Sequence, residues 1–335
     1  MYDRDRRALP TSIVFTVAGV AGLGMILAGT GFKPVLGGIG AVGWTGFGLL
    51  ILGQLVLMIP LALAGRSVCP GASLRLMLRA RLVREAITNC LPFTSLGGIA
   101  FGMRVLTASR AIGWPLATVA IAADVTMELV GQIVFVLIGL GLLLLRHADL
   151  ALALGCAGAA AVAAFAVAAA LLTQRRSPQL LSRLVAIIGV PGLQGAGAAV
   201  VTLEETVQRV HGRPSRLAVA ASFHLLGWIG GAGLTWLSFR LLDVPIEFGS
   251  ALIIESVLSF ARLIAFFVPN GIGVQEAVYV ALGGIFGVSA STSLSVSLLR
   301  RGRELAVGIA VLLVWPVTDL RLVLRDRPLG EVVRR

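Results

Sequence analysis

The sequence predicts an all-α polytopic membrane protein with about six transmembrane helices and two re-entrant, broken helical hairpins arranged as an inverted repeat. Three observations predict it. Hydrophobic residues fill 57% of the 335 positions and charged residues only 13%, roughly half the charged share of a soluble domain. Several apolar runs reach the ~20 residues that cross a bilayer as a helix. Two apolar stretches are broken by proline and glycine, at Pro92 with Gly97 and Gly98, and at Pro269, Asn270, Gly271 and Gly273. Such breaks free backbone N–H and C=O groups, which survive at membrane depth only inside protein or against a wet cavity.

The elements follow in order. Residues 11–30 form a retained first span, because the run exceeds a signal-peptide core and no A-x-A site follows. Arg4, Arg6 and Arg7 before it place the N-terminus in the cytoplasm. An outward loop, 31–43, carries only Lys33 and leads into the span 44–64. The following loop, with Arg66, Arg75, Arg79, Arg81 and Arg84, is expected on the cytoplasmic side. Residues 85–110 are too short to cross twice. They read as a hairpin broken at Pro92 that returns near Arg104 and Arg110. Spans 116–145 and 150–172 complete the first half.

Residues 174–216 form the longest polar stretch, a cytoplasmic linker in which Leu180, Leu181, Leu184, Ile187 and Ile188 make one face of a surface helix. The span 217–239 opens the second half. A hairpin at 249–287, broken at Pro269, follows, and a last helix from about 292 to 319 ends before Arg321, Arg325 and Arg327. One membrane domain, 1–335, is the unit, with halves 11–172 and 217–320 and both termini cytoplasmic. The hairpins then open on opposite sides. An internal echo agrees: Gly97 precedes Glu128-Leu129 by the interval that separates Gly273 from Glu304-Leu305.

The net charge is +12, and Lys33 is the only lysine. In loops of a membrane protein this excess sets orientation and meets anionic headgroups, so no nucleic-acid partner is expected. Cys69, Cys90 and Cys156 show no CxxC spacing, and His147, His211 and His224 are scattered. No disulfide, metal site or cofactor is expected. Neither a phosphate-binding loop nor an HExxH motif occurs, and no nucleophile has a histidine at recognisable spacing. The chain is therefore not expected to be an enzyme. The weaker alternative is an intramembrane enzyme using Asp124 and Glu128 as an acid/base pair on lipid headgroups.

Ionisable residues at depth are the candidate site: Arg104, Asp124, Glu128, Glu255, Arg262, Glu276, Arg300, Arg301, Arg303 and Glu304. Each carries an insertion penalty of about 3 kcal/mol at a helix centre, so it faces the bundle interior and finds a partner. Asp124 and Glu128 share a helix face, as do Glu255 and Arg262, and Glu304 lies within pairing range of Arg300 and Arg301. Glu276, beside Gln275, opens a half-helix after Gly271 and Gly273, where a carboxylate caps free N–H groups or meets a cation. Ion pairs that merely pin packing are the plainer reading. Clustering around the two breaks favours a polar groove.

The stretch FFVPNGIGVQEAVYVALGGIFGVS at 266–289, with SLLRRGRELAVG at 297–308, resembles the flippase-like transmembrane domain of lysylphosphatidylglycerol synthases, and most of all its stand-alone branch associated with hopanoid biosynthesis. The distinctive residues here are Pro269, Gly271, Gly273, Glu276, Arg303 and Glu304, with a looser match at Asn89, Cys90, Pro92, Gly97 and Arg104. The resemblance implies a bacterial inner-membrane protein that moves or places hopanoid or phospholipid-type lipids between leaflets. It implies membrane lipids as partners, and lipid-biosynthesis enzymes if the chain is instead a non-transporting scaffold. The aminoacyl-transferase part of those synthases is not expected in this chain.

Overall fold

Among the described residues, three helices have the length and apolarity to cross a membrane: Gly37–Val68, Trp114–Arg146 and Pro214–Leu241, with mean hydropathies of 2.3, 2.4 and 1.5. They expose large apolar side chains, among them Leu52, Val56 and Ile59 on the first, Leu137 and Ile138 on the second and Leu226 on the third. Water would penalise so much bare hydrocarbon; lipid tails do not. The chain is a membrane-embedded, multi-pass helical protein.

The computed structural model describes residues 32–90, 95–108, 112–146, 196–265 and 271–325, with isolated helical positions between 155 and 169. Among the described residues there are nine helices and no strand: α1 (Phe32–Val68), α2 (Leu74–Cys90), α3 (Ser95–Ala108), α4 (Trp114–Arg146), α5 (Ala196–His211), α6 (Pro214–Leu241), α7 (Phe248–Ile264), α8 (Val274–Ile285) and α9 (Ala290–Arg325). The expected span 11–30, most of the span 150–172, the surface helix near Leu180 and the break residues Pro92, Pro269 and Asn270 lie outside the described residues.

Two expectations need correction. The outward loop 31–43 is helical from Phe32, and α1 turns at Gly43, whose φ of 69° and ψ of 164° only glycine adopts freely. The supposed cytoplasmic loop bearing Arg75, Arg79, Arg81 and Arg84 is α2 itself, so the first hairpin begins at Leu74 rather than at 85. Leucine, arginine and alanine are strong helix formers, and they fill most of this segment. Part of the linker is also helical: α5 packs along α4.

An order of long, short, short and long helices occurs twice, as α1–α4 and as α6–α9. The packing repeats with it. Helices α1 and α6 lie together at the centre. Helix α4 packs on α6 and α7, and α9 packs on α1 and α2 in the same way. Each short pair closes on itself, α2 on α3 and α7 on α8. In the first pair the approach is tight at Gly98, where a Cβ would sit 2.3 Å from Thr88 Oγ1 and 2.8 Å from the Arg84 carbonyl oxygen. Apolar cores fill both halves, around Leu106, Ile87 and Ala120 in one and around Phe239, Ile253 and Leu258 in the other.

Candidate functional site

Two polar clusters are buried in this apolar bundle, one in each half. In the first, Arg81 of α2 grips Glu128 of α4 with both terminal nitrogens, at 2.6 Å and 3.2 Å. Arg84, one turn on, donates to Asp124 at 3.2 Å and also to Glu128. Arg81 reaches Glu85 as well, at 2.6 Å. From α6, the fully buried His224 places Nε2 2.9 Å from Asp124 Oδ1. The spacing explains the arrangement. Positions 81 and 84 share one face of α2, positions 124 and 128 share one face of α4, and the helices meet along those faces.

The second cluster joins α6, α7, α8 and α9. Glu255 is 3% exposed, and its Oε1 accepts from Thr235 and Tyr279 hydroxyls, both at 2.5 Å. Its other oxygen accepts from Arg300. Arg300 also donates through Nε to Glu304, one helical turn on, at 3.0 Å. Glu276 caps α8 by accepting the Gly273 N–H at 2.8 Å and meets Arg301 at 3.0 Å. Gln275, fully buried, donates to the Ser297 carbonyl and hydroxyl at 2.9 Å each and accepts from Arg262.

The cap at Glu276 and the pair Arg300–Glu304 match the sequence expectation. Two other pairings do not follow helical spacing. Glu255 pairs with Arg300 rather than Arg262, and Arg301 with Glu276 rather than Glu304. Both choices join different helices, where local spacing gives no guide.

Of the expected residues, Asp124 and Glu128 fall in the first cluster. Glu255, Arg262, Gly271, Gly273, Gln275, Glu276, Arg300, Arg303 and Glu304 gather in or beside the second. Gly97 and Gly98 lie near the start of α3, and Arg104, half-buried on the same helix, is engaged as well. The flanks of both breaks reach α9. A Cβ on Gly308 would sit 2.4 Å from the sulfur of Cys90, the last residue before the first break, and Arg262, before the second, lies in electrostatic reach of Glu304.

Sequence reasoning passed over Arg81, Arg84, His224, Thr235 and Tyr279. A signal existed for the first two, since Arg81 and Glu85 are one turn apart within a helix-forming run. A histidine inside the apolar α6 was the signal for His224.

Most of the charged side chains in the two clusters are buried, while Glu85 and Glu276 keep 27% and 21% of their side chains exposed. A cavity of about 770 Å³ opens elsewhere, where α1 ends and α6 begins, lined by Arg66, Cys69, Pro70, Ser73, Arg216 and Phe223 among others. None of the expected site residues lines it. Among the described residues, no group of three His, Cys, Asp or Glu side chains is placed to hold a metal ion.

The family model described as the lysylphosphatidylglycerol synthase TM region matches residues 66–311. The matched segment runs from the end of α1 into α9 and includes both clusters. No curated protein and no solved structure matches the chain. With most of its length covered, the chain belongs to the lysylphosphatidylglycerol synthase membrane-region family.

Proposed function

We propose that this member of the lysylphosphatidylglycerol synthase membrane-region family is a lipid translocator of a bacterial inner membrane, moving hopanoid or phospholipid-type lipids between leaflets. The carrying observation is the pair of charged clusters, each spanning a broken hairpin and the long helix of its own half. A headgroup needs a polar interior route while its tails stay in lipid, and intramembrane charges ordinarily mark such routes. The repeated helix order and packing support two halves of inverted topology, with both termini cytoplasmic, that rock about the central α1–α6 contact. In the paired arrangement the ion pairs act as latches, and opening exchanges them for contacts with the headgroup. Movement is downhill or ion-coupled.

A scaffold for lipid-biosynthesis enzymes is the second reading, favoured by the pairing of both carboxylates of the first cluster, Asp124 and Glu128, with arginine or histidine. An enzymatic role for Asp124 and Glu128 is disfavoured, because both carboxylates are occupied by arginines. Leaflet distribution of a labelled hopanoid or phospholipid in reconstituted vesicles separates the readings. The translocator reading expects exchange that slows at least roughly tenfold in Glu276→Ala, a loss equal to about 1.4 kcal/mol. Equal rates for wild type, Glu276→Ala and empty vesicles would favour the scaffold.

A further inference from the structure

A guanidinium buried in an apolar bundle needs an acceptor, and in the second cluster the acceptors run out. Glu255, Glu276 and Glu304 face four arginines: Arg262, Arg300, Arg301 and Arg303. Each carboxylate is already engaged. Glu255 is held by Arg300, Thr235 and Tyr279, Glu276 by Arg301 and the Gly273 N–H, and Glu304 by Arg300.

Arg303 is left over. It is only 2% exposed and ranks among the largest fully buried side chains, yet its Nε and Nη1 have no hydrogen-bond partner. Arg262 donates one nitrogen to Gln275 and leaves its buried Nε without a partner. Both charges lie in electrostatic reach of Glu304. Gly271, at φ 60°, brings the backbone past Arg262 with no side chain, and a Cβ there would lie 3.3 Å from Arg262 Nε. The first cluster also leaves Arg81 Nε and His224 Nδ1 without partners, but it has no surplus of cations, because three carboxylates surround its two arginines.

We infer that Arg262 and Arg303 form a binding site for a phosphate-type oxyanion, beside the turn at Gly271 and the start of α8. This rests on the translocator reading and names the headgroup chemistry it handles. A phosphodiester stays ionised at physiological pH and offers two non-bridging oxygens, the geometry that guanidinium forks match. An uncharged polyol head would leave the positive surplus unbalanced.

The test uses the purified full-length protein in detergent. Native mass spectrometry compares retained phosphatidylglycerol with diacylglycerol of the same tails, and thermal unfolding is followed with and without inorganic phosphate. Wild type is expected to retain phosphatidylglycerol at least about tenfold over diacylglycerol. Arg303→Gln and Arg262→Gln should each lose most of that preference, while Arg146→Gln, at an exposed ion pair, keeps it. Retention without stabilisation by inorganic phosphate assigns the anion to a lipid headgroup, and stabilisation without lipid preference assigns it to free phosphate. Neither effect in wild type, or a preference unchanged in both variants, overturns the inference. If Arg303→Gln does not fold, Arg262→Gln and the wild-type measurement decide. Leaflet exchange without phosphate selectivity would sink this site and leave translocation standing; phosphate binding without exchange would do the reverse.

Discussion

Arg81 and Glu255 are register counterparts of opposite charge. Each is the eighth residue of a seventeen-residue helix, α2 or α7, and each is neutralised by the long fourth helix of its own half. On the long helices the register is kept at two levels, but the charge is reversed at only one of them. Asp124 is the eleventh residue of α4 and Arg300 the eleventh of α9, while Glu128 and Glu304 are both fifteenth. One architectural position is thus filled twice with the polarity reversed. The bundle keeps a charged contact between hairpin and long helix in both halves, although sequence identity between the halves is sparse.

Breaking one side of the first contact should cost far more than removing both. Glu128→Leu leaves two buried guanidinium groups short of an acceptor, a loss of about 3–5 kcal/mol. Removing Arg81 together with Glu128, as Arg81→Met with Glu128→Leu, should recover part of that loss, with a coupling of about 1–3 kcal/mol. Denaturation of the four proteins of this cycle in one detergent measures it. Additive losses would mean that Arg81 and Glu128 do not act as a unit.

His224 ties α6, in the second half, to Asp124 of α4 in the first. Its side chain is wholly enclosed, and Gly131 of α4 packs against its Cβ. His224→Ala should therefore destabilise by about 2–4 kcal/mol, through a lost hydrogen bond to a charged group and an unfilled space. His224→Gln keeps a donor and should retain more of the stability. The thermal midpoints of the two variants give the comparison, and equal midpoints would mean the hydrogen bond contributes little.

Gly98 and Gly231 should respond oppositely to alanine. Gly98→Ala drives a methyl group into the backbone carbonyl of Arg84 and should destabilise by about 1–3 kcal/mol as α2 and α3 are pushed apart. Gly231, inside α6, has nothing within 4 Å of its would-be Cβ. There alanine should be neutral or stabilise by up to about 1 kcal/mol, since glycine is the poorer helix former. Thermal unfolding of both variants checks the pair.

The sequence carried the skeleton through local signals. Glycine and proline marked both interruptions, long apolar runs marked α4 and α6, and Glu276 three residues after Gly273 announced the cap of α8. Long-range pairing was not visible. Four arginines between 75 and 84 read as a loop, because Asp124 and Glu128, the acceptors of Arg81 and Arg84, lie some forty residues away. Once those acceptors are adjacent, Arg81 and Arg84 lie on the inner face of a helix, while Arg75 and Arg79 stay exposed on its other side. Glu255 likewise shares a helix face with Arg262 by spacing, but the donors to its carboxylate are Arg300, Thr235 and Tyr279 on α9, α6 and α8. Helical periodicity shows which residues share a face; it does not show which face comes to meet them.

Inverted halves also make a prediction about membrane sides. The turn between α3 and α4 and the turn between α8 and α9 occupy equivalent places in the two halves. If the halves are inverted, these turns face opposite compartments, the first the cytoplasm and the second the outside. Gly113 and Ala290 are exposed at the two turns, so a cysteine at either is open to reagent. In a cysteine-free background, Gly113→Cys should react with a membrane-impermeant maleimide only after cells are opened, and Ala290→Cys in intact spheroplasts. Cys69 and Cys90 are buried, and removing all three native thiols, Cys69, Cys90 and Cys156, avoids background labelling. Labelling of both positions from one side would mean that the repeated helix order is parallel, and the two-sided access on which translocation depends would lose its structural basis.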